Sequence, residues 1–99
     1  MLRKRRPSGK TTRRKAPCFV YVLGSADAGR LLTYVGWTND LDRRLAKHNA
    51  GTGARFTRGR RWVLLHWEKL SNKRAAMSRE WHLKRDSAFR RRLRLAQLT

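Results

Sequence analysis

The chain has 99 residues, 39% of them hydrophobic and four of them tryptophan, enough apolar surface for one modest core and too little for two. Lys and Arg number 26 against six acids, a formal charge of +20 that exceeds what solubility needs and favours a polyanionic partner through counterion release, so nucleic acid is the expected partner. The lone Cys18 excludes an intramolecular disulfide and no apolar run approaches the roughly 20 residues of a membrane span, so a reducing, cytoplasmic setting away from membranes is expected.

Residues 1–17 carry eight Lys or Arg, two prolines and no acid. Such a stretch cannot bury enough to offset its ordering entropy, so it reads as a disordered basic arm ahead of a folded domain at 18–99. It also lacks the apolar centre of a secretory signal. Phe19 to Leu23 and Leu31 to Val35 are β-rich runs separated by a turn-rich stretch from Ser25 to Arg30, which predicts an antiparallel hairpin with Tyr21 and Tyr34 on neighbouring strands. Gly36 reads as a place of close approach by backbone or substrate.

Asn39 or Thr38 is the expected cap of a helix through Leu41 to His48, with Gly51 as its stop. At about 100° per residue, Leu41, Arg44, Leu45 and His48 form one stripe while Arg43 and Lys47 face elsewhere. Residues 51–61 hold three glycines, one aromatic and four arginines, Arg55, Arg58, Arg60 and Arg61. The segment reads as a loop whose cations suit phosphate contacts, which position a strand without reading its sequence. Trp62 to Trp67 is an apolar third strand.

A second helix is expected from a cap at Ser71 or Asn72 to Arg85, with Ala76, Met77, Trp81, Leu83 and Lys84 around Glu80, at the edge of the packing face. A third runs from Ser87 to about Ala96, with Phe89, Leu93 and Ala96 inward and Arg90, Arg91, Arg92 and Arg94 wet. Trp62, Trp67 and Trp81 are assigned to the core and His66 and His82 to structural roles. Trp37, just after Tyr34-Val35-Gly36, is a candidate base-stacking residue at a cleft rim.

Each polar candidate also has an ordinary role. Strand tyrosines are commonly half-buried packing residues, Arg44 can lie along the apolar stripe by its stem, His48 can cap a helix C-terminus, and Glu80 can pair with Lys84 at i,i+4. Those roles explain the residues singly but not their convergence.

The ordered set Phe19-Val20-Tyr21, Tyr34-Val35-Gly36, then Thr38, Leu41, Arg44, Leu45 and His48 on one helix and Arg79-Glu80 on a later one resembles the GIY-YIG nuclease superfamily, and most of all its small stand-alone bacterial members. The resemblance runs from about Phe19 to Arg94, with Phe19-Val20-Tyr21 standing where the family name has Gly-Ile-Tyr. It implies an α+β fold, a central three-stranded antiparallel sheet flanked by helices, and metal-dependent hydrolysis of phosphodiester bonds with one divalent cation, Mg²⁺ or Mn²⁺. Tyr21, Tyr34, Arg44 and Glu80 match the catalytic positions, and His48 matches a site position that is often His.

The chemistry agrees. In-line attack on phosphorus needs an activated water and stabilisation of charge on the phosphoryl oxygens. A guanidinium such as Arg44 suits the phosphate fork, and a hard cation can be held through one carboxylate, Glu80, while keeping several waters. A tyrosine needs a nearby cation to serve as base at neutral pH. Tyr21 is favoured as base or water-orienter with Tyr34 as its hydrogen-bonding neighbour, though the two roles can be exchanged; His48 either contacts phosphate or relays the proton. The expected substrate is DNA rather than RNA, with branched or damaged DNA as candidates in repair or recombination and a protein partner as a candidate for targeting. The competing reading is a non-catalytic nucleic-acid-binding module on the same scaffold, against which an acid amid +20 of positive charge argues.

Overall fold

A computed structural model describes residues 17–27 and 30–98. The expected basic arm lies, but for Pro17, outside them, as does the tip of the expected hairpin turn. The elements in chain order are β1 (Cys18–Asp27), β2 (Arg30–Thr38), α1 (Leu41–Asn49), a 3-10 turn (Arg55–Thr57), β3 (Val63–Leu70), α2 (Lys73–Arg85) and α3 (Ser87–Leu98). The strands form one antiparallel sheet in the order β2-β1-β3. The fold is α+β, with a three-stranded antiparallel sheet and three helices.

β1 lies in the middle, and its run Cys18-Phe-Val-Tyr-Val-Leu23 is apolar at every position because helices cover both faces. Phe19, Tyr21 and Leu23 point to one side, where they pack with Leu41 and Trp62 and are flanked by Tyr34, Leu45 and Trp67. Val20 and Val22 point to the other, where they meet Val35 and Leu83 and are flanked by Phe89 and Leu93. The first side belongs to α1 and the loop after it; the second belongs to α2 and α3.

The helix ends follow the sequence expectation except at the first cap. Helix α1 is capped by Asp40, whose carboxylate accepts the Arg43 amide at 3.1 Å. A full negative charge at the positive helix end suits that position. Thr38 instead accepts the Asp40 amide at 3.1 Å and so shapes the turn into the cap. Gly51, at φ +82°, ends the helix in the left-handed conformation that glycine tolerates. Asn72 caps α2 by accepting the Ala75 amide at 2.8 Å.

Trp62 does not open the third strand. Its ring is buried and its indole N–H donates to the Thr57 carbonyl at 3.0 Å, while the strand begins one residue later and runs to Leu70. Trp81, assigned to the core, is 53% exposed, with the Arg85 guanidinium 3.8 Å above its ring; α2 buries only Ala76 and Leu83, a stripe too narrow to include it. Ala96 is exposed, and Arg90 is half-buried rather than wet. Arg90 donates from Nη1 to the Leu83 and Lys84 carbonyls, both at 2.7 Å, satisfying the open end of α2. A further clamp joins α2 to β3: Arg79 donates to both oxygens of Glu68 at 2.8 and 3.0 Å, and His66 Nε2 lies 2.8 Å from Oε2.

Candidate active site

The sheet register sets the two tyrosines. Tyr21 pairs across β1 and β2 with Gly36, and Leu23 pairs with Tyr34, so both rings stand on the α1 side as diagonal neighbours. Gly36 is required by Tyr21 itself. A Cβ built at Gly36 would overlap the Tyr21 hydroxyl, with Tyr21 Cζ only 2.7 Å away. The close approach expected at this glycine is therefore made by a side chain of the next strand.

Across from the sheet, α1 presents its stripe. Leu41 and Leu45 anchor the helix in the core, and one turn on from Arg44 stands His48, buried to 1% exposure. Its Nε2 lies 3.0 Å from the Tyr21 hydroxyl and its Nδ1 lies 2.8 Å from Thr57 Oγ1. Tyr21 thus finds its hydrogen-bond partner in His48. Tyr34, expected in that role, meets the imidazole at a tilt, with ring centroids 5.0 Å apart at 59°. Phe56 and Trp62 lie against the other parts of the Tyr34 ring, each with a centroid separation of 6.3 Å.

The loop between α1 and β3 holds this arrangement closed. Asn49 accepts the Trp62 amide at 2.6 Å and donates to the Trp62 carbonyl at 3.1 Å, so one side chain joins the two ends of the loop like a strand neighbour. Gly53 lies over His48, where a Cβ would come within 2.5 Å of Nδ1. Arg44 lines an open cleft of about 140 Å³ with Thr38, Asn39, Asp40, Arg43 and Lys47. Three cations therefore line this cleft, including the two that the helix stripe had turned away.

Burial raises the Tyr21 pKa well above the ordinary tyrosine value; the Arg44 charge opposes this, and Tyr34 and Glu80 add to it. Burial also lowers the His48 pKa, helped by the positive charge of Arg44. The sequence expectation had a nearby cation, the metal or Arg44, bringing the hydroxyl of Tyr21 or Tyr34 down; at Tyr21 desolvation outweighs Arg44. At neutral pH the buried pair is a neutral phenol bonded to a neutral imidazole.

Glu80 is half-buried on α2 and lies 3.4 Å from Lys84, the i,i+4 pairing that the sequence allowed. Lys84 is mostly exposed, so this contact is loose and replaceable. Among the described residues no three His, Cys, Asp or Glu side chains converge. The donor set fits a hard cation held by one carboxylate and completed by water and substrate oxygens, and does not suit a transition metal that needs a full protein cage.

The remaining candidates are spread out. Arg55, Arg58 and Arg61 are exposed, whereas Arg60 is folded back on its own loop, donating to the Phe56 carbonyl at 2.8 Å with its guanidinium 5.0 Å from the Phe56 ring centre. Trp37 pairs with Val20 and so stands on the α2 side of the sheet, opposite Tyr21, with Lys73 Nζ 5.7 Å from its ring centre. Sequence reasoning missed Asn49, Gly53 and Thr57. Their partners are 5 to 13 positions away across an irregular loop, where no periodicity exists to reveal them.

Comparison with known proteins adds an independent finding. A family model described as the GIY-YIG catalytic domain matches residues 17–93. A "UPF0213 protein" of Clostridium perfringens is 46% identical over 68 residues, 68% of this chain and 70% of that protein. A second, from Natronomonas pharaonis, is 48% identical over 67 residues, 67% of this chain and 75% of its own length. A third, from Halobacterium salinarum, is 47% identical over 66 residues, 66% of this chain and 82% of its own length. No solved structure matches the chain.

Proposed function

The chain belongs to the GIY-YIG catalytic-domain family, a nuclease family, and from that premise we propose that it is a divalent-metal-dependent endonuclease that hydrolyses phosphodiester bonds in DNA. The observation that carries this reading is the buried Tyr21 hydroxyl, bonded to His48 Nε2 at 3.0 Å, with the Tyr34 ring centroid 5.0 Å from that of the same imidazole. A packing tyrosine needs no such partner, and an electrostatic DNA binder gains nothing from burying a phenol–imidazole pair.

The geometry supports the following roles. Tyr21 keeps its proton in the resting protein, so it works as a relay rather than as a standing phenolate. A water brought against the Tyr21 hydroxyl with the substrate gives its proton to the phenol oxygen as the phenol gives its own to His48 Nε2, and the imidazolium so formed returns that proton through Tyr21 to solvent once the products leave. The water oxygen forms its bond to phosphorus as the bond to the leaving oxygen breaks, and that oxygen is protonated from solvent. Arg44 meets the phosphoryl oxygens, where a guanidinium fork stabilises the charge that builds up. Tyr34 packs the imidazole in place. Glu80 would hold the divalent cation, which when bound supplies charge neutralisation at the phosphate. Arg43 and Lys47 extend the cleft for backbone phosphates, and Arg55, Arg58 and Arg61 give a second set of exposed cations. Phosphate contacts of this kind favour recognition of strand shape over sequence, which suits branched or damaged DNA.

The test is cleavage of labelled single-stranded, duplex, flapped and branched DNAs and RNAs, with Mg²⁺ or Mn²⁺ and with chelator. We expect metal-dependent cutting by the wild type, lowered about 10²-fold or more in Tyr21→Phe and in Glu80→Gln. Both variants should melt within a few degrees of the parent. Binding without cutting under every condition replaces the nuclease with a binding module on the same scaffold.

A further inference from the structure

The relay uses one nitrogen of His48, and the other is also spoken for. Nδ1 lies 2.8 Å from Thr57 Oγ1, on a threonine with no exposed surface in the turn Arg55–Thr57. The Thr57 hydroxyl in turn lies 2.7 Å from the Ala54 carbonyl oxygen. A carbonyl oxygen only accepts, so the single O–H proton of Thr57 is committed to Ala54. Oγ1 has only lone pairs left for His48, and Nδ1 must be the donor. A neutral imidazole carries one N–H, so Nε2 is bare and the Tyr21 hydroxyl donates to it.

We infer that Thr57 is a positioning residue that fixes His48 as the Nδ1–H tautomer and thereby leaves Nε2 free to receive the Tyr21 proton. The chain of bonds then has one direction: Tyr21 O–H to His48 Nε2, His48 Nδ1–H to Thr57 Oγ1, Thr57 O–H to Ala54 O. In the opposite tautomer Nε2–H would donate to the phenol oxygen, and the phenol would have no acceptor for its proton. The turn is held for this task from two sides. The Trp62 indole donates to the Thr57 carbonyl at 3.0 Å, and Gly53 leaves the space that the imidazole edge fills. The inference rests on the reading of Tyr21 and His48 as the proton-accepting pair.

Nitrogen-15 NMR of the histidine side chains in the full chain reads the tautomer without reference to activity. The His48 resonances are assigned by their loss in His48→Gln. We expect Nδ1 protonated and Nε2 bare in the wild type near pH 7. Thr57→Val keeps the shape of the side chain and removes the hydroxyl. It should move the proton toward Nε2 and lower metal-dependent cleavage about 10²-fold at unchanged KM, as wrong-tautomer variants do elsewhere. Thr57→Ser should restore both the tautomer and most of the rate.

A wild type protonated at Nε2, or a Thr57→Val protein whose tautomer is unchanged, overturns the inference. So does a restored tautomer in Thr57→Ser with no recovery of rate, provided that the wild type cuts. If Thr57→Val does not fold, the wild-type spectrum still decides, because only an Nδ1–H imidazole is compatible with the bond directions. An Nδ1–H wild type that cuts nothing upholds the tautomer assignment and refutes the nuclease reading, so the two failures are separable.

Discussion

At the scale of the residue, the site depends on space as much as on functional groups. Tyr21 is buried among apolar neighbours, and its hydroxyl occupies the volume that a side chain at position 36 would need. Gly36→Ala therefore forces the Tyr21 ring to move or the two strands to part. Overpacking of this kind destabilises by about 1–3 kcal/mol, and the displaced hydroxyl leaves His48 Nε2. Cleavage should fall about 10²-fold or more with a melting temperature lowered by several degrees, measured by paired activity assays and thermal melts. Tyr21→Phe removes the hydroxyl and leaves the packing, so it should lose activity with a smaller loss of stability. Equal destabilisation by the two substitutions would show that the glycine serves the strand pair and not the hydroxyl. The motif Tyr34-Val35-Gly36 displays the glycine, but only the cross-strand register shows that Tyr21 is what approaches it.

At the scale of the element, α2 is attached to β3 by one charged clamp. The Arg79 hydrogen bonds lower the Glu68 pKa to about 2, with a smaller contribution from His66 against the opposing effect of burial. A carboxylate with a depressed pKa contributes stability that is fully present above its unfolded value, near 4.5, and is lost as pH falls toward 2. Arg79 is 40% exposed, so solvent screening reduces the contribution to about 1–2 kcal/mol. The difference in urea midpoint between wild type and Arg79→Ala should be largest above pH 5 and shrink toward pH 2.5. A difference independent of pH would assign the effect to lost packing of the arginine stem. The loop staple makes a second prediction: Asn49→Ala leaves the Trp62 amide and carbonyl without their partner, so hydrogen exchange at the Trp62 amide should speed up by about one to two orders of magnitude. Strands, helices and their order were legible from apolar alternation and helical stripes. The Asp40 cap, the exposed Trp81 and the Asn49 staple were not. A cap shifts with a one-residue change in helix start, the burial of Trp81 depends on how narrow a stripe α2 presents, and a side chain that bridges a 13-residue gap leaves no local pattern.

At the scale of the whole molecule, charge argues for a class of partner while leaving open where it binds. A formal +20 over 99 residues argues for a polyanion, but a sum does not distinguish cations that meet a substrate from those that hold the fold. Arg60, Arg79 and Arg90 are engaged with their own chain. Arg55, Arg58 and Arg61 are exposed on the loop that also carries Thr57, and Arg43 and Lys47 border the cleft beside Arg44. If these exposed cations neutralise phosphates, each contact contributes about 0.9 to the slope of log affinity against log salt. Replacing Arg55, Arg58 and Arg61 together by alanine should flatten that slope by about 2–3 for a duplex probe, measured by fluorescence anisotropy across a salt series. The same triple variant should lose kcat/KM at low salt while keeping kcat at saturating substrate, because in the proposed mechanism the loop surface steers the strand and the buried relay does the chemistry. An unchanged slope would move the DNA path off the loop and onto the α1 cleft. A fall in kcat with KM unchanged would mean that the loop arginines hold Thr57, and through it His48, in their reactive arrangement.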